Sequence, residues 1–553
     1  MRGDMIAATL MALAAQTAQF DWVAYRGEDP VDRRVRVGPA EFRNPILQGF
    51  YPDPSITRVG KDYYLVHSTF SWFPGIPVFH SRDLVTWRQI GNAIDRPGQL
   101  DFARLGLSRG VFAPAIEHHA GTFYILNTCV DCGGNFLVTA TNPAGPWSDP
   151  VWLPDLEGAI DPSLFVDADG SAWIVNNGPP QGKPRYEGHR AIWIQRFDLR
   201  TNRTFGPRKV LVDGGIDPAA KPIWIEGPHL IARNGWYYLI CAEGGTAINH
   251  SQVVLRSRRP DGPFVVGPNP ILTQRDLPAD RIDPVTSAGH ADFVTTPNGD
   301  WWASFLAVRP YAGDYYNTGR ETFLLPVDWR GEWPRILPAA TPIPLVLRRP
   351  ALPRDPRPAP ATSGAFGWRD EFDRAALDPA WLMMRNPRER WYDLGSPRGT
   401  LTLRPRAAGL GDNANPSLLA RRQQHAHATV TTRVRFGGTR GQAGLTALQN
   451  DDYWFAITVG QDGGKPVVRL IRRGGPDDPK AGTLVSQAIL PGRPGAPVEL
   501  RVTADGARYR FAYAARPGAW RALGPDQDGT LLSTAKAGGF VGAVFGVFAV
   551  ADR

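Results

Sequence analysis

Short apolar runs closed by tight turns dominate the chain. Up to Trp302 one arrangement of them recurs five times: a proline or alanine, an apolar residue, a turn, then aromatics. The copies read Pro54-Ser55-Ile56 with Asp62-Tyr63-Tyr64-Leu65, Pro114-Ala115-Ile116 with Thr122-Phe123-Tyr124-Ile125, and Pro162-Ser163-Leu164 with Ser171-Ala172-Trp173-Ile174. A fourth is Pro228-His229-Leu230 with Gly235-Trp236-Tyr237-Tyr238-Leu239, and a weaker fifth is Ala291-Asp292-Phe293 with Gly299-Asp300-Trp301-Trp302. Each copy predicts two strands joined by a tight turn. Units spaced by roughly 50 to 65 residues stack or radiate, because one hairpin cannot bury its own apolar face. Four-stranded sheets set around an axis make a propeller, so five copies predict an all-β fold with a five-bladed β-propeller. Outer-strand signals, each a turn before an aromatic, follow several hairpins, at residues 80–87, 140–147 and 256–264.

The propeller is expected over residues 40–340, with residues 20–45 as an extended lead-in. Residues 341–362 are rich in Pro and Arg, among them Pro342, Pro344, Pro350, Pro353, Pro356, Pro358 and Pro360. That composition predicts a stiff, extended linker rather than a packed element. Beyond it the period changes. Alternating or apolar runs at 401–403, 428–436, 452–459, 467–472, 498–503, 508–514 and 540–550 predict strands, separated by Gly and Asp clusters. Many strands without a long helical pattern imply a β-sandwich over 363–553.

Composition changes this picture little. The 18 Trp suit blade cores and sugar-stacking surfaces alike. Lys and Arg number 62 against 53 Asp and Glu, giving a net charge of +9. A basic chain raises nucleic acid as a partner. The arginines are scattered, however, and their densest cluster, 348–357, lies in the Pro-rich stretch, so a solvated basic surface is the reading. Of 3 cysteines, Cys129 and Cys132 form a C-x-x-C. They lack the second pair of a zinc site and the strand-to-helix setting of a redox motif, which leaves structural thiols or a local disulfide. Cys241, within an apolar strand, reads as core. Arg2 precedes an apolar run at 5–15 with Ala12-Leu13-Ala14 as a small-residue cleavage site, so residues 1–18 read as a secretory signal, against which Asp4 counts. This favours a periplasmic or secreted location over a cytoplasmic one. Nothing else approaches the run of about 18 apolar residues that a membrane span needs.

Acids open three of the repeats: Pro52-Asp53-Pro54-Ser55, Ile160-Asp161-Pro162-Ser163 and Ile225-Glu226-Gly227-Pro228. One Asp-Pro, as at Asp283-Pro284, simply starts a turn. Three acids in register across a repeat would converge at the centre of a radial fold. Cleaving a glycosidic bond needs a proton for the leaving oxygen and a base or nucleophile at the anomeric carbon. Two carboxyls with divergent pKa values supply both, and a third nearby holds one pKa up by like-charge repulsion.

With these motifs in place the chain resembles glycoside hydrolase family 43, in its β-xylosidase and α-L-arabinofuranosidase branch with a C-terminal, concanavalin-like β-sandwich. The resemblance runs through Asn44-Pro45-Ile46-Leu47-Gln48-Gly49-Phe50-Tyr51-Pro52-Asp53-Pro54-Ser55-Ile56, Ser68-Thr69-Phe70-Ser71-Trp72-Phe73-Pro74-Gly75, Asp161-Pro162-Ser163-Leu164-Phe165, Glu226-Gly227-Pro228-His229-Leu230, Ala242-Glu243-Gly244-Gly245-Thr246 and Gly319-Arg320-Glu321-Thr322, in that order. It implies an inverting mechanism with Asp53 as general base and Glu226 as general acid, while Asp161 raises and orients Glu226. It implies that Arg320 contacts substrate, where residue type alone gives a salt bridge. It makes Phe70 a wall of the sugar pocket, where residue type alone gives core. It places His290 near the propeller axis, where some relatives hold a calcium ion; an isolated histidine is otherwise simply hydrogen-bonded. Phe112 stands where relatives often carry Trp, reshaping one wall and leaving xylose against arabinose open. An aromatic from the sandwich can cap the pocket in this branch, and Phe540, in Gly539-Phe540-Val541-Gly542, is a candidate.

The expectation is an exo-glycosidase releasing terminal β-D-xylosyl or α-L-arabinofuranosyl units from xylan- or arabinan-derived oligosaccharides, with no organic cofactor, no nucleic acid and no membrane. The rival is a carbohydrate-binding propeller without catalysis; a second is a scaffold for protein partners, marked by an apolar central cleft. Sandwich contacts could support a homo-oligomer, but no motif decides it.

Overall fold

A computed structural model describes residues 17–278 and 280–552. Apart from residues 17 and 18, the expected signal segment lies outside them. Five antiparallel sheets follow one another along the chain, each opened by one of the repeats. The first holds Ser55–Val59, Asp62–Val66, Gly75–Ser81 and Arg88–Ile94 in that order. The second is built on Ala115–His119, Thr122–Val130 and Gly134–Ala140, the third on Ile160–Val166, Ala172–Gly178, Ala191–Asp198 and Arg203–Asp213. The fourth runs through Ile225–Arg233, Trp236–Glu243 and Ser251–Ser257, the fifth through Thr286–Thr295, Trp301–Val308 and Glu321–Val327. The hairpins follow from their turn residues. Arg233 pairs with Trp236 across Asn234-Gly235, whose φ values of 50° and 72° match the right-handed twist of the flanking strands.

The opening strand of each sheet packs against that of the next, and the fifth packs against the first. Side chains stitch these contacts. The Ser55 hydroxyl donates to Asp292 Oδ2 at 2.8 Å and accepts from the Ile116 N–H at 3.0 Å, and the Ser163 hydroxyl donates to the Pro228 carbonyl. Residues 44–47 run beside the last strand of the fifth sheet: the Ile46 N–H donates to the Thr322 carbonyl, and Asn44 exchanges hydrogen bonds with Leu324.

Two further sheets form the C-terminal sandwich. One has six strands, Ser417–Arg422, Val544–Val550, Gln442–Asn450, Tyr453–Asp462, Lys465–Gly474 and Thr483–Ile489. The other is centred on His427–Phe436, whose residues alternate between half-buried and buried along its whole length. Leu401, Val430, Leu500 and Phe511 from one sheet meet Leu445, Phe455, Ile457 and Val547 from the other in one core.

Several expectations need correction. Residues 20–45 are not all lead-in: Ala18–Gly27 is a strand inside the larger sandwich sheet, paired with Arg398–Leu403 and His427–Phe436. A bulge between Phe20 and Trp22 shifts its register, which breaks the alternation a strand signal needs. The Pro/Arg-rich segment, expected to be extended and unpacked, is docked. Val346–Arg348 pairs with Glu41–Arg43, Arg349 bonds Asp83 at 2.7 Å, and Asp355 is buried against Arg357. The outer-strand signals mark mainly the turns between third and fourth strands, where Trp87 and Trp147 are buried. Of the run 540–550, only Val544–Val550 is a strand. The cysteines are as expected, Cys129 and Cys132 forming a local disulfide and Cys241 a buried free thiol.

Candidate active site

The opening strands begin irregularly, and the irregularity aims the acids. Asp53 and Asp161 both adopt φ of 53°, and His290 adopts φ of 55°, a left-handed conformation that few non-glycine residues take. In the fourth sheet Glu226 is followed by Gly227, which takes the same conformation at 54°. Strand register breaks between Ile160 and Ser163, between Glu226 and His229, and between Gly289 and Asp292. A bulge turns one residue out of the ladder, and such features cluster beside functional sites. Gly227 is also required sterically: a Cβ there would lie 2.7 Å from His290 Nε2.

Asp53, Asp161 and Glu226 line one cavity of about 590 Å³ with Phe70, Phe112, His290, Arg320 and Phe540. Every residue singled out in the sequence as a candidate site residue is therefore at this cavity. Both oxygens of Asp53 accept hydrogen bonds, Oδ2 from the Ser68 hydroxyl at 2.5 Å and Oδ1 from Arg320 Nη1 at 3.0 Å. His290 Nδ1 lies 3.7 Å from Asp53 Oδ1. Asp161 Oδ2 accepts from the Gly227 N–H at 3.0 Å, which ties it to the residue after Glu226. Burial pushes the Glu226 carboxyl up to about 8, and the charges of Asp161 and then Asp53 push the same way against Arg320 and Arg190. Burial also raises Asp161, with Asp53 adding to it and His290 opposing it. The three acids are thus one interacting set rather than independent groups.

The aromatic wall comes from three places. Phe70 and Phe540 stack at 5.9 Å with planes 24° apart, and Phe112 meets both rings edge-on at 5.7 and 5.9 Å. Phe540 belongs to a loop of the sandwich, anchored where its N–H donates to Ser108 Oγ at 2.8 Å. The Arg320 guanidinium sits 5.4 Å from the Phe540 ring centre. Arg320 accordingly makes the salt bridge and also lines the cavity, and Phe70 is a buried residue that lines it too.

The family resemblance places His290 where some relatives hold a calcium ion, and residue type alone gives a hydrogen-bonded histidine. Among the described residues no group of three His, Cys, Asp or Glu side chains is placed to hold a metal ion. Asp292, two residues on, is committed to Ser55 and to the Ile56 N–H. These side chains do not make up a calcium ligand set.

The cavity also contains residues the sequence did not single out: Arg109, Ile223 and Trp224. Trp224 stands two residues before Glu226 in the run Ile223-Trp224-Ile225-Glu226, which was the available signal. Arg190, whose guanidinium lies 4.8 Å from the Trp224 ring, had none. Glu243 is not in the cavity lining; its Oε2 accepts from the Ile216 N–H at 2.9 Å.

Comparison with known proteins gives two family matches. Glycosyl hydrolases family 43 matches residues 42–334, and the beta xylosidase C-terminal concanavalin A-like domain matches residues 369–553. A xylosidase/arabinosidase of Butyrivibrio fibrisolvens is 40% identical over 75% of this chain and 79% of its own. A non-reducing end alpha-L-arabinofuranosidase of Bacteroides ovatus is 34% identical over 93% of this chain and 92% of its own. The crystal structure of a GH43_12 protein retrieved from a capybara gut metagenome superposes with a TM-score of 0.90 at 39% identity, covering 97% of this chain and 100% of that one.

Proposed function

The chain belongs to glycosyl hydrolases family 43, and on that premise we propose that it is an inverting exo-glycosidase that removes terminal β-D-xylosyl or α-L-arabinofuranosyl units from xylan- or arabinan-derived oligosaccharides. One observation carries the reading: three buried acids at the starts of three different sheets line a single cavity, where burial and the other two charges push the Glu226 carboxyl up to about 8. A convergent trio of buried carboxyls suits the acid and base roles of glycoside cleavage, which sugar binding alone does not require. The five sheets read as the blades of a five-bladed propeller. Support comes from the succession of opening strands, the fifth against the first, and from residues 44–47, which complete the fifth sheet from the chain's other end.

In this reading Asp53 takes a proton from the water that attacks the anomeric carbon, while Ser68 and Arg320 fix both of its oxygens. Glu226 gives its proton to the leaving oxygen, and Asp161 keeps that proton in place. Arg320 also lines the cavity, its guanidinium beside the Phe70 and Phe540 rings, where it can meet a sugar hydroxyl. Phe70, Phe112 and Phe540 close the wall around one terminal residue. The Cys129–Cys132 disulfide fits an oxidising compartment, which supports an exported chain. Among the described residues no helix is long and apolar enough to cross a membrane.

The test is an oligosaccharide labelled at its reducing end, with nitrophenyl xyloside and arabinofuranoside alongside. Release of single pentose units from the unlabelled end supports the reading; binding without release supports the rival. Two variants refine it. Phe540→Ala should lower kcat/KM by roughly tenfold through lost contact area, with the far-UV spectrum unchanged; an unaltered KM and kcat would remove the sandwich from the pocket. Asp161→Asn removes a negative neighbour that raises Glu226, so the Glu226 pKa must fall. The alkaline limb of the kcat/KM profile should then move to lower pH by about one unit. A limb that stays or rises would end Asp161's assignment.

A further inference from the structure

Trp224 is the least buried aromatic of the cavity, 36% exposed, and it is held in a conformation that costs energy, with φ of 42°. The backbone around it is pinned from two sides. The Trp224 N–H donates to the Gly188 carbonyl at 3.0 Å, and the Ile223 carbonyl accepts from both the Gly244 and Gly245 N–H groups at 2.9 and 3.1 Å. One face of the indole is covered by the Arg190 guanidinium. Arg190 is itself fixed, its Nε donating to Asn177 Oδ1 at 2.7 Å and its Nη2 to the Gly158 carbonyl at 3.0 Å. Buried Asn177 in turn donates to the Ile225 carbonyl at 2.7 Å, directly before Glu226. A large apolar ring has thus been braced in place at the cavity mouth instead of being folded into a core.

Its position says what it would meet. Exposure rises outward along the strand entrance, from buried Glu226 and Ile225 to Trp224 and then Ile223, which is 54% exposed. The terminal sugar must sit inward, against Asp53, Arg320 and the phenylalanines. The group that Glu226 protonates leaves outward, past Trp224. We infer that Trp224, braced by Arg190 and Asn177, is the stacking platform for the leaving group, and that it selects a leaving group with an apolar ring face, such as a pyranose. The inference rests on the glycosidase reading above.

The test compares two substrates with the same terminal pentose: a (1→4)-linked pentose disaccharide and the corresponding methyl pentoside. Both leaving groups need the acid, but only the disaccharide brings a ring to the mouth. An aryl glycoside would not do, because its own ring could stack. Trp224→Ala should lower kcat/KM on the disaccharide by roughly 10- to 30-fold and on the methyl pentoside by less than about threefold. Trp224→Phe, which keeps a ring, should recover most of the loss and guards against misfolding of the alanine variant. Equal losses on both substrates in both variants, or no loss on the disaccharide, would overturn the inference. A wild-type protein that cleaves neither substrate would instead reject the glycosidase reading, and the platform with it.

Discussion

Asp53→Ala is expected to remove nearly all turnover on every substrate, by about 10²- to 10⁴-fold, the range for loss of a general base. The effect should fall on kcat, since water loses its proton only in the transition state. The alanine variant also strands Arg320, buried at 7% exposure and bonded to Asp53, so some stability should go with activity. Asp53→Asn separates the two effects. Asparagine keeps one acceptor for Arg320 and a donor toward the Ser68 hydroxyl, but it cannot take a proton. It should melt near the wild-type temperature and be as inactive as the alanine variant. Either variant retaining a tenth of wild-type kcat would reject Asp53 as the base.

Glu226→Ala should divide substrates by leaving group. A sugar alcohol leaves badly without a proton, whereas a dinitrophenolate leaves almost unaided. Loss on xylo- or arabino-oligosaccharides should reach about 10³-fold, while the dinitrophenyl glycoside should lose less than about tenfold. Asp53→Ala should lose both alike, because water activation does not depend on what leaves. Equal losses for Glu226→Ala would mean that Glu226 is not the acid. Glu243, the next acid along the chain, is a poor substitute, since it lies outside the cavity lining with an oxygen committed to the Ile216 N–H.

Much of this site was readable in the sequence because it depends on local chemistry repeated in register. Asp53-Pro54 and Asp161-Pro162 announce the start of an opening strand, and Gly227 announces the left-handed turn after Glu226. Hairpins such as that at Asn234-Gly235 mark the repeats themselves. What escaped depends on distant pieces of chain meeting. The bulge near Asp21 hid a central sandwich strand by spoiling its alternation. The prolines at 342–360 suggested a stiff, extended linker without packing, yet Asp355 and Arg349 dock on the first sheet through Arg88 and Asp83. Phe540 looked like the start of a strand, but it sits in the preceding loop and reaches the pocket through Ser108. Arg190 and Trp224 belong to separate loops that only the fold brings together, and an arginine on a tryptophan face has no sequence period to betray it.

The most direct test of the whole account is proton NMR of the first turnovers on nitrophenyl β-D-xyloside and α-L-arabinofuranoside, read before the released sugar mutarotates. An inverting site leaves room for a water between acid and base, with carboxyls typically about 6.5–9.5 Å apart, against about 5–5.5 Å where a carboxylate attacks directly. With Asp53 as base and Glu226 as acid, the first pentose to appear from the cleaved glycoside should carry the anomeric configuration opposite to the substrate's. First-formed product with the substrate's own configuration, or no pentose from either glycoside, would contradict it.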